Sequence, residues 1–195
     1  SPLNGFDLFN YMALIVCARA RDYAEITFHK FADELEAKDA AGQYAFGAPE
    51  NEKHRVTWEG IAVWTYLGAT FKGLKNQGAV MTGSAYPGLW SLVYTPGDLE
   101  SMAEAYTNVY INTCGPNRYE EFYKVVKNSK SDGIVLHLNR SCKLMGLLNN
   151  EGAEYVNAKL GVPYVSFDGD QTDPRVFTPA QYETRVQALT EMMDE

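Results

Sequence analysis

The sequence predicts an α/β domain built on a doubly wound sheet of four parallel strands, preceded by a helical segment. Short apolar runs alternate with helical patterns after residue 49, and parallel strands require crossover connections of this kind. A polar connector that contains glycine and proline, "GQYAFGAPENEK", separates this alternation from the part before it. We therefore divide the chain into a helical segment, 1–48, and a C-terminal α/β domain, 49–195.

The helical segment is predicted from its end signals and from apolar spacing. Asp22 followed by Glu25 resembles a capping box, and Gly42 stands where a helix C-terminus is expected. Between them, apolar residues recur at helical spacing: Phe28, Phe31 and Leu35. Earlier in the chain, Cys17 in "MALIVCARA" is expected to pack in the core.

The α/β domain is predicted from four strands with helices between them. The strands are "HRVTWEG", "AVMTGSAY", "GIVLHL" and "VPYVSFDGD". Helices are predicted over residues 61–77, from about Asp98, from Asn117 with Glu120 as a capping pair, in "AEYVNAKLG" ended by Gly161, and from Thr178-Pro179. A strand order of 2-1-3-4 would make the sheet flavodoxin-like, with a ligand crevice beyond the carboxyl ends of the first and third strands.

Composition and charge narrow the classes of partner. The 195 residues carry a formal net charge of −8 without any basic block, which argues against nucleic acid and anionic membranes as partners. No apolar run approaches the length of a membrane span, so a cytoplasmic protein is expected. The three cysteines are widely spaced and odd in number, which argues against a disulfide framework and fits a reducing compartment.

Polar and sulfur-bearing residues directly follow the third strand, in "DGIVLHLNRSCKLMG". Cys142 has three interpretations: a small buried or half-exposed thiol, a nucleophile paired with His137, or an iron–sulfur ligand. Arg140 and Lys143 would stabilise a thiolate at that position, which favours the two chemical interpretations. The residues alone do not choose between them.

Two further features bear on ligands. Asp168, Asp170 and Asp173 in "DGDQTDPR" lie close enough for a hard-cation site, but the calcium-loop pattern is absent, so turn capping and pairing with Arg175 are favoured. Neither glycine-rich phosphate signature occurs, which removes the main sign of a nucleotide site. Aromatic residues flank the ends of the first two strands and are candidates to wall an organic ligand: Trp58, Trp64, Tyr86 and Trp90.

Several stretches together resemble the 2-hydroxyacyl-CoA dehydratase and benzoyl-CoA reductase family, and in particular the larger dehydratase subunit. They are "SPLNGFDLFNYMALIVCARA", "KHRVTWEGIAVW", "SDGIVLHLNRSCK" and "LGVPYVSFDGDQTDPRVFTPAQYETRVQAL". The resemblance runs nearly end to end, and "NRSCK" followed by "DGDQTDPR" is its most specific part.

The resemblance implies radical chemistry at an iron–sulfur cluster. Family members pass one electron to the thioester carbonyl of a 2-hydroxyacyl-CoA, expel the hydroxyl from the resulting ketyl, and recover the electron. It implies a 4Fe-4S cluster with Cys142 as one ligand, and Ser141 and Arg140 as further catalytic-site residues. It also implies an acyl-CoA substrate, a second subunit and an ATP-dependent iron–sulfur activator protein. The residues predicted to bind the substrate are Asn139, Trp58, Gly60 and Trp64.

The sequence also departs from the family pattern. The family's other two cluster cysteines lie in an N-terminal domain, and neither Cys17 nor Cys114 matches them, so we expect a fragment that is inactive alone. The stretch "LMGLLNNEG" after the cysteine differs from the polar, glutamine-containing sequence of the family, which puts substrate contacts there in doubt. Two alternatives stay open: a subunit of the benzoyl-CoA reductase type, and a non-catalytic scaffold or docking domain of the same fold.

Overall fold

A computed structural model describes residues 1–195 and contains one sheet of four parallel strands. The strands are β1 (His54–Glu59), β2 (Ala79–Gly83), β3 (Gly133–Asn139) and β4 (Tyr164–Gly169). Their order is β2-β1-β3-β4, which confirms the predicted order and fold class. In the centre of the sheet, Val135 pairs with Trp58 on one side and with Val165 on the other.

Nine α-helices connect and flank the strands. They are α1 (Gly5–Cys17), α2 (Asp22–Ala40), α3 (Leu67–Asn76), α4 (Ala85–Gly88), α5 (Leu99–Thr107), α6 (Gly115–Asn128), α7 (Lys143–Leu147), α8 (Asn149–Leu160) and α9 (Pro179–Asp194). Gly161 ends α8 in the left-handed conformation, with φ of 71°, as its place after the helix predicts. None of these helices is both long and apolar enough to cross a membrane.

Helices cover both faces of the sheet, which is what makes it doubly wound. On one face α1, α3 and α9 pack against Trp58, Val135 and Phe167 in the larger core. On the other face α6 and α8 pack against Ile134 and Leu136 in a smaller core. Successive residues of β3 thus point to opposite faces and are buried on both, as in a central parallel strand.

The two N-terminal helices relate differently to the α/β domain. Helix α1 buries Phe6, Phe9 and Met12 in the larger core, whereas α2 buries only Ala24. The predicted boundary between residues 48 and 49 stays a prediction, although α1 shares its core with the sheet. The expectation that Cys17 packs in the core was wrong, because it lies on the exposed face of α1.

Several predicted helix starts differ from the observed ones. Asp98 does cap α5, since its carboxylate accepts hydrogen bonds from the backbone N–H groups of Glu100 and Ser101. Both capping pairs were wrong, because Arg21 and Cys114 precede the first turns of α2 and α6 and no side chain caps either helix. The helix predicted from residue 61 begins at 67, after three residues without regular structure and one 3-10 turn.

Candidate functional site

The turns that follow β1, β3 and β4 meet at the carboxyl edge of the sheet, because parallel strands all end on the same side. The backbone N–H of Trp64 donates to the carbonyl of Gln171 at 3.2 Å, which joins the segment after β1 to the turn after β4. The backbone N–H of Arg140 donates to the carbonyl of Gly169 at 3.0 Å, which joins the ends of β3 and β4. Residues 58–64 and 139–143 thus share one edge, as the predicted strand order 2-1-3-4 requires.

Asn139 links the turns after β3 and β4 through its side chain. Its Oδ1 accepts from the backbone N–H of Ser141 at 3.2 Å and of Gln171 at 3.3 Å. Its Nδ2 donates to Oε1 of Gln171 at 3.2 Å. Because the side chain is buried, these bonds hold the two turns together more strongly than a solvated amide would.

The Ser141 hydroxyl donates to the carboxylate of Asp170, which in turn caps its own turn. Oδ1 of Asp170 accepts from the backbone N–H groups of Thr172 and Asp173, each at 2.9 Å. The hydrogen bond from Ser141, followed by these two, lowers the pKa of Asp170 well below its usual range. Asp170 is therefore held as a carboxylate at neutral pH.

Asp173, a second aspartate of "DGDQTDPR", caps its turn and pairs with Arg175, as the sequence favoured. Asp173 accepts from the guanidinium of Arg175 at 2.6 Å, and this partner lowers the Asp173 pKa to about 2. The chain contains no group of three histidine, cysteine or acidic side chains arranged to hold a metal ion. The observed contacts agree with turn capping and ion pairing.

Cys142 lies in the turn after β3, immediately before α7. Its backbone N–H donates to the carbonyl of Asn139 at 3.3 Å, and its side chain is half-buried against the larger core. Burial raises the pKa of the Tyr86 phenol, and negative charge on the Cys142 sulfur would raise it further. The two other cysteines, Cys17 and Cys114, are exposed and belong to other parts of the fold.

Arg140 and Gly60 occupy different parts of the same edge. The Arg140 side chain is mostly exposed and forms an ion pair with Asp168 at 3.6 Å, a contact that contributes little at such a surface. Gly60 has φ of 108°, and a Cβ atom there would lie 2.6 Å from the carbonyl oxygen of His137. Only glycine allows β1 to turn this close to β3.

The two tryptophans predicted to bind substrate lie in unlike surroundings. Trp58 has no exposed surface and donates from Nε1 to the carbonyl of Gly60 at 3.1 Å, so it supports the edge from inside the core. Trp64 is 37% exposed and lines a small apolar cavity of about 290 Å³ with Phe9, Tyr86 and Trp90. Of the two, only Trp64 presents surface to a ligand, and a substrate contact by either stays a prediction.

His137 has a structural contact rather than a thiol partner. Its Nδ1 is hydrogen-bonded to the carbonyl of Ile61, and its ring stacks on Phe167 with centroids 5.1 Å apart. Burial lowers its pKa, so the imidazole is neutral at neutral pH. No hydrogen bond joins His137 to Cys142, and the interpretation as a nucleophile pair has no geometric support.

An apolar groove of about 580 Å³ lies beside the cysteine turn. It is formed by the end of α1, the segment around α4 and α5, and Leu144, and its walls include Val16, Leu89, Trp90 and Tyr106. Leu144 is 53% exposed there, two residues after the thiol. The groove can accept an extended, largely apolar ligand beside the turn that carries Cys142.

A buried polar cluster lies behind this edge, and sequence reasoning missed it. Glu59 ends β1 without any exposed surface, and its Oε1 accepts from the Tyr110 hydroxyl at 2.7 Å. Burial, the largest effect, raises the Glu59 pKa to about 7, against the hydrogen bond from Tyr110 and the charge of Arg118. The sequence did contain a sign that Arg118 is buried, because Arg118, Phe122 and Val126 follow the four-residue spacing of one buried helix face.

The strand order places the protein in the class of doubly wound α/β domains, in which ligands bind beyond the carboxyl ends of the strands. Residues 1–193 match the family model described as "2-hydroxyglutaryl-CoA dehydratase, D-component". The chain belongs to this family of 2-hydroxyacyl-CoA dehydratase subunits, to which a component of benzoyl-CoA reductase is also related.

Individual relatives agree with this membership. The chain is 62% identical to lactoyl-CoA dehydratase subunit alpha of Anaerotignum propionicum, over 100% of this chain and 46% of that protein. It is 44% identical to the (R)-2-hydroxyisocaproyl-CoA dehydratase alpha subunit of Clostridioides difficile, over 100% of this chain and 47% of that protein. It is 26% identical to a benzoyl-CoA reductase subunit of Thauera aromatica, over 76% of this chain and 36% of that protein. The chain thus spans about half the length of the dehydratase subunits that it matches.

Proposed function

We propose that these residues form part of a cytoplasmic 2-hydroxyacyl-CoA dehydratase subunit, which removes water from a 2-hydroxyacyl-CoA to give the 2-enoyl-CoA. The observation that carries the proposal is the braced turn at Asn139–Cys142, which presents a half-buried thiol at the ligand edge of the sheet. Membership of the dehydratase family supports the reaction class.

The donor atoms of this turn suit an iron–sulfur cluster only in part. A thiolate is the usual ligand of such clusters, and Cys142 offers one at the edge. A 4Fe-4S cluster needs about four attachment points, and these residues contain no group of three histidine, cysteine or acidic side chains that could hold a metal. We propose that Cys142 contributes one ligand and that the others come from outside residues 1–195. When bound, such a cluster supplies one electron to the thioester carbonyl and recovers it after the hydroxyl has left.

The residues around Cys142 have roles that their contacts support. Asn139 and Ser141 hold the turn through Gln171 and Asp170, and so fix the position of Cys142 at the edge of the sheet. The exposed guanidinium of Arg140 is placed to attract anionic groups of an acyl-CoA. The bend at Gly60 keeps the chain after β1 close to β3, which leaves the edge open.

The acyl-CoA would use the apolar groove beside the turn. Its pantetheine arm is long, with methyl and methylene groups between its amides, and the groove walls at Trp90 and Leu144 match those apolar parts. Trp64 extends the apolar surface through the neighbouring cavity. Two partners complete the proposal: a second dehydratase subunit, because the relatives are named as alpha subunits, and an ATP-dependent iron–sulfur activator that supplies the electron.

A component of the benzoyl-CoA reductase type is the second candidate, supported by the relative from Thauera aromatica. The 62% and 44% identities to dehydratase subunits favour dehydration over ring reduction. Turnover of a 2-hydroxyacyl-CoA compared with an aryl-CoA by the purified complex separates the two. A non-catalytic docking domain predicts turnover of neither substrate.

The test replaces Cys142 with serine in the full-length subunit, purified anaerobically with its partner. The harder, weakly acidic hydroxyl is a poor cluster ligand, so Cys142→Ser should lose iron and dehydration together. Cys17→Ser and Cys114→Ser are matched controls, since both thiols are exposed elsewhere, and each should keep iron and activity. Wild-type iron content and turnover in Cys142→Ser would remove this residue from the mechanism.

A further inference from the structure

Arg118 is a buried arginine whose side-chain hydrogen bonds go to the segment that follows Cys142. It is 1% exposed, and it projects from α6 toward the carboxyl edge. Its Nη1 donates to the carbonyl of Leu144 at 2.6 Å, and its Nη2 donates to the carbonyl of Met145 at 3.2 Å. Nη2 also donates to Oδ1 of Asn149 at 3.0 Å, in the first turn of the next helix.

The segment that receives these bonds is α7, and it needs contacts from outside the helix to be stable. Helix α7 has five residues, which is too short to be stable by itself, and a helix leaves its last four carbonyl groups without partners in the helix. Arg118 supplies donors to two of those carbonyls. The backbone N–H of Gly146 donates to the carbonyl of Cys142 at 3.0 Å, so a shift of α7 would also move the backbone of Cys142.

The guanidinium is itself fixed from the other side. It lies over the ring of Tyr110, 4.7 Å from the centroid, and Tyr110 donates its hydroxyl to Glu59 at the end of β1. Nη2 of Arg118 lies 3.9 Å from Oε1 of Glu59, beyond hydrogen-bonding distance. Its closest contacts are therefore the carbonyls after Cys142, and Tyr110 and Glu59 connect it to the sheet.

We propose that Arg118 is a positioning residue that fixes the Cys142 thiolate relative to the end of β1, and thereby sets cluster binding and the cluster's reduction potential. The inference rests on the proposed function, in which Cys142 is a cluster ligand. The guanidinium reaches three acceptors with donors on two separate nitrogens, Nη1 and Nη2, whereas a lysine carries all its donors on one nitrogen.

The first measurement does not depend on the cluster. Hydrogen exchange is followed by mass spectrometry in the full-length subunit in complex with its partner, for wild type, Arg118→Met and Arg118→Lys. Peptides covering residues 142–149 should exchange about tenfold faster or more in Arg118→Met, because buried bonds to a charged donor are lost, with Arg118→Lys between the two.

Tyr182→Phe is the matched control. It removes another buried hydrogen bond, from the Tyr182 hydroxyl to the carbonyl of Thr70 at 2.9 Å, on the opposite face of the sheet. It should leave exchange at 142–149 unchanged. If Arg118→Met does not assemble, Asn149→Ala removes one acceptor while Arg118 stays in place, and should give a smaller increase confined to the same peptides.

The second measurement is the iron content and the electron paramagnetic resonance spectrum, with the midpoint potential, of the same preparations. The proposal expects reduced iron or a shifted signal and potential in the Arg118 and Asn149 variants, with partial recovery in Arg118→Lys. Faster exchange with an unchanged cluster signal would overturn it, since Arg118 would then be merely structural. Unchanged exchange would overturn it as well. If Cys142→Ser keeps its iron, the proposed function fails independently of any result for Arg118.

Discussion

Replacing Glu59 with glutamine is expected to remove one pH dependence from folding stability. The carboxyl group is fully buried at the end of β1, and its polar neighbours, the Tyr110 hydroxyl at 2.7 Å and Arg118 at 3.9 Å, offset only part of the desolvation. Its pKa therefore rises from 4.5 to about 7 in the folded chain. Glutamine keeps an oxygen for Tyr110 and cannot ionise.

The magnitude follows from that difference in pKa. Below the unfolded value both states hold the proton, and the contribution to stability does not change with pH. Between 4.5 and about 7 the unfolded chain has lost the proton that the folded chain keeps, so the free energy of unfolding falls as pH rises. The fall from Glu59 totals about 3 kcal/mol, and it levels off above the folded pKa.

Urea unfolding of wild type and Glu59→Gln at intervals from pH 4 to pH 8 measures the effect. The difference between the two proteins should change by about 3 kcal/mol across this range, with glutamine relatively more favourable at the high end. Glu183→Gln, at an exposed position on α9, should follow wild type throughout. Parallel curves for wild type and Glu59→Gln would refute the assignment of a raised pKa to Glu59.

Two further changes test the local geometry. Gly60→Ala should destabilise the chain by about 2 kcal/mol or more in urea unfolding, because φ of 108° is strained for alanine and its Cβ would meet a backbone oxygen. In the control Gly68→Ala a Cβ meets nothing within 4 Å, so this change should be neutral or stabilising by about 0.5–1 kcal/mol. Equal effects of the two changes on stability would contradict the argument. Asp98→Ala should lower the free energy of unfolding by about 1 kcal/mol, because it removes the cap of α5. Asp98→Asn keeps an acceptor oxygen and should lower it less. An unchanged unfolding midpoint for Asp98→Ala would mean that the cap contributes nothing to stability.

The strands and their order were predictable because apolar runs bounded by turn residues carry a strong local signal. The buried faces of helices were harder to predict. The sequence "MALIVCARA" is apolar on nearly every side, so its pattern does not say which face α1 turns to the sheet, and Cys17 was assigned to the wrong one. The segment after β1 has helical apolar spacing and was therefore assigned to a helix from residue 61. The spacing does not reveal that the backbone of Trp64 is instead hydrogen-bonded to Gln171, in the turn after β4.

The candidate site was predictable where its residues are adjacent in the chain. "NRSCK" and "DGDQTDPR" were both singled out, but their pairing through Asn139–Gln171 and Ser141–Asp170 depends on the distance between two strand ends in the folded sheet. Arg118 was not predicted, because a charged side chain on a helix is usually solvated, and its burial depends on acceptors 26–31 residues further on.

The linkage between the turns after β3 and β4 also has a consequence for the synthesis of the protein. Translation produces Cys142 before Asp170 and Gln171, the residues that brace its turn. Until β4 has been made and has paired with β3, the turn at Cys142 lacks the side-chain hydrogen bonds that hold it in the folded chain. The turn at Cys142 can therefore take its final shape only after the last strand has joined the sheet, so its geometry depends on the slowest long-range pairing of the fold rather than on the local sequence around the cysteine.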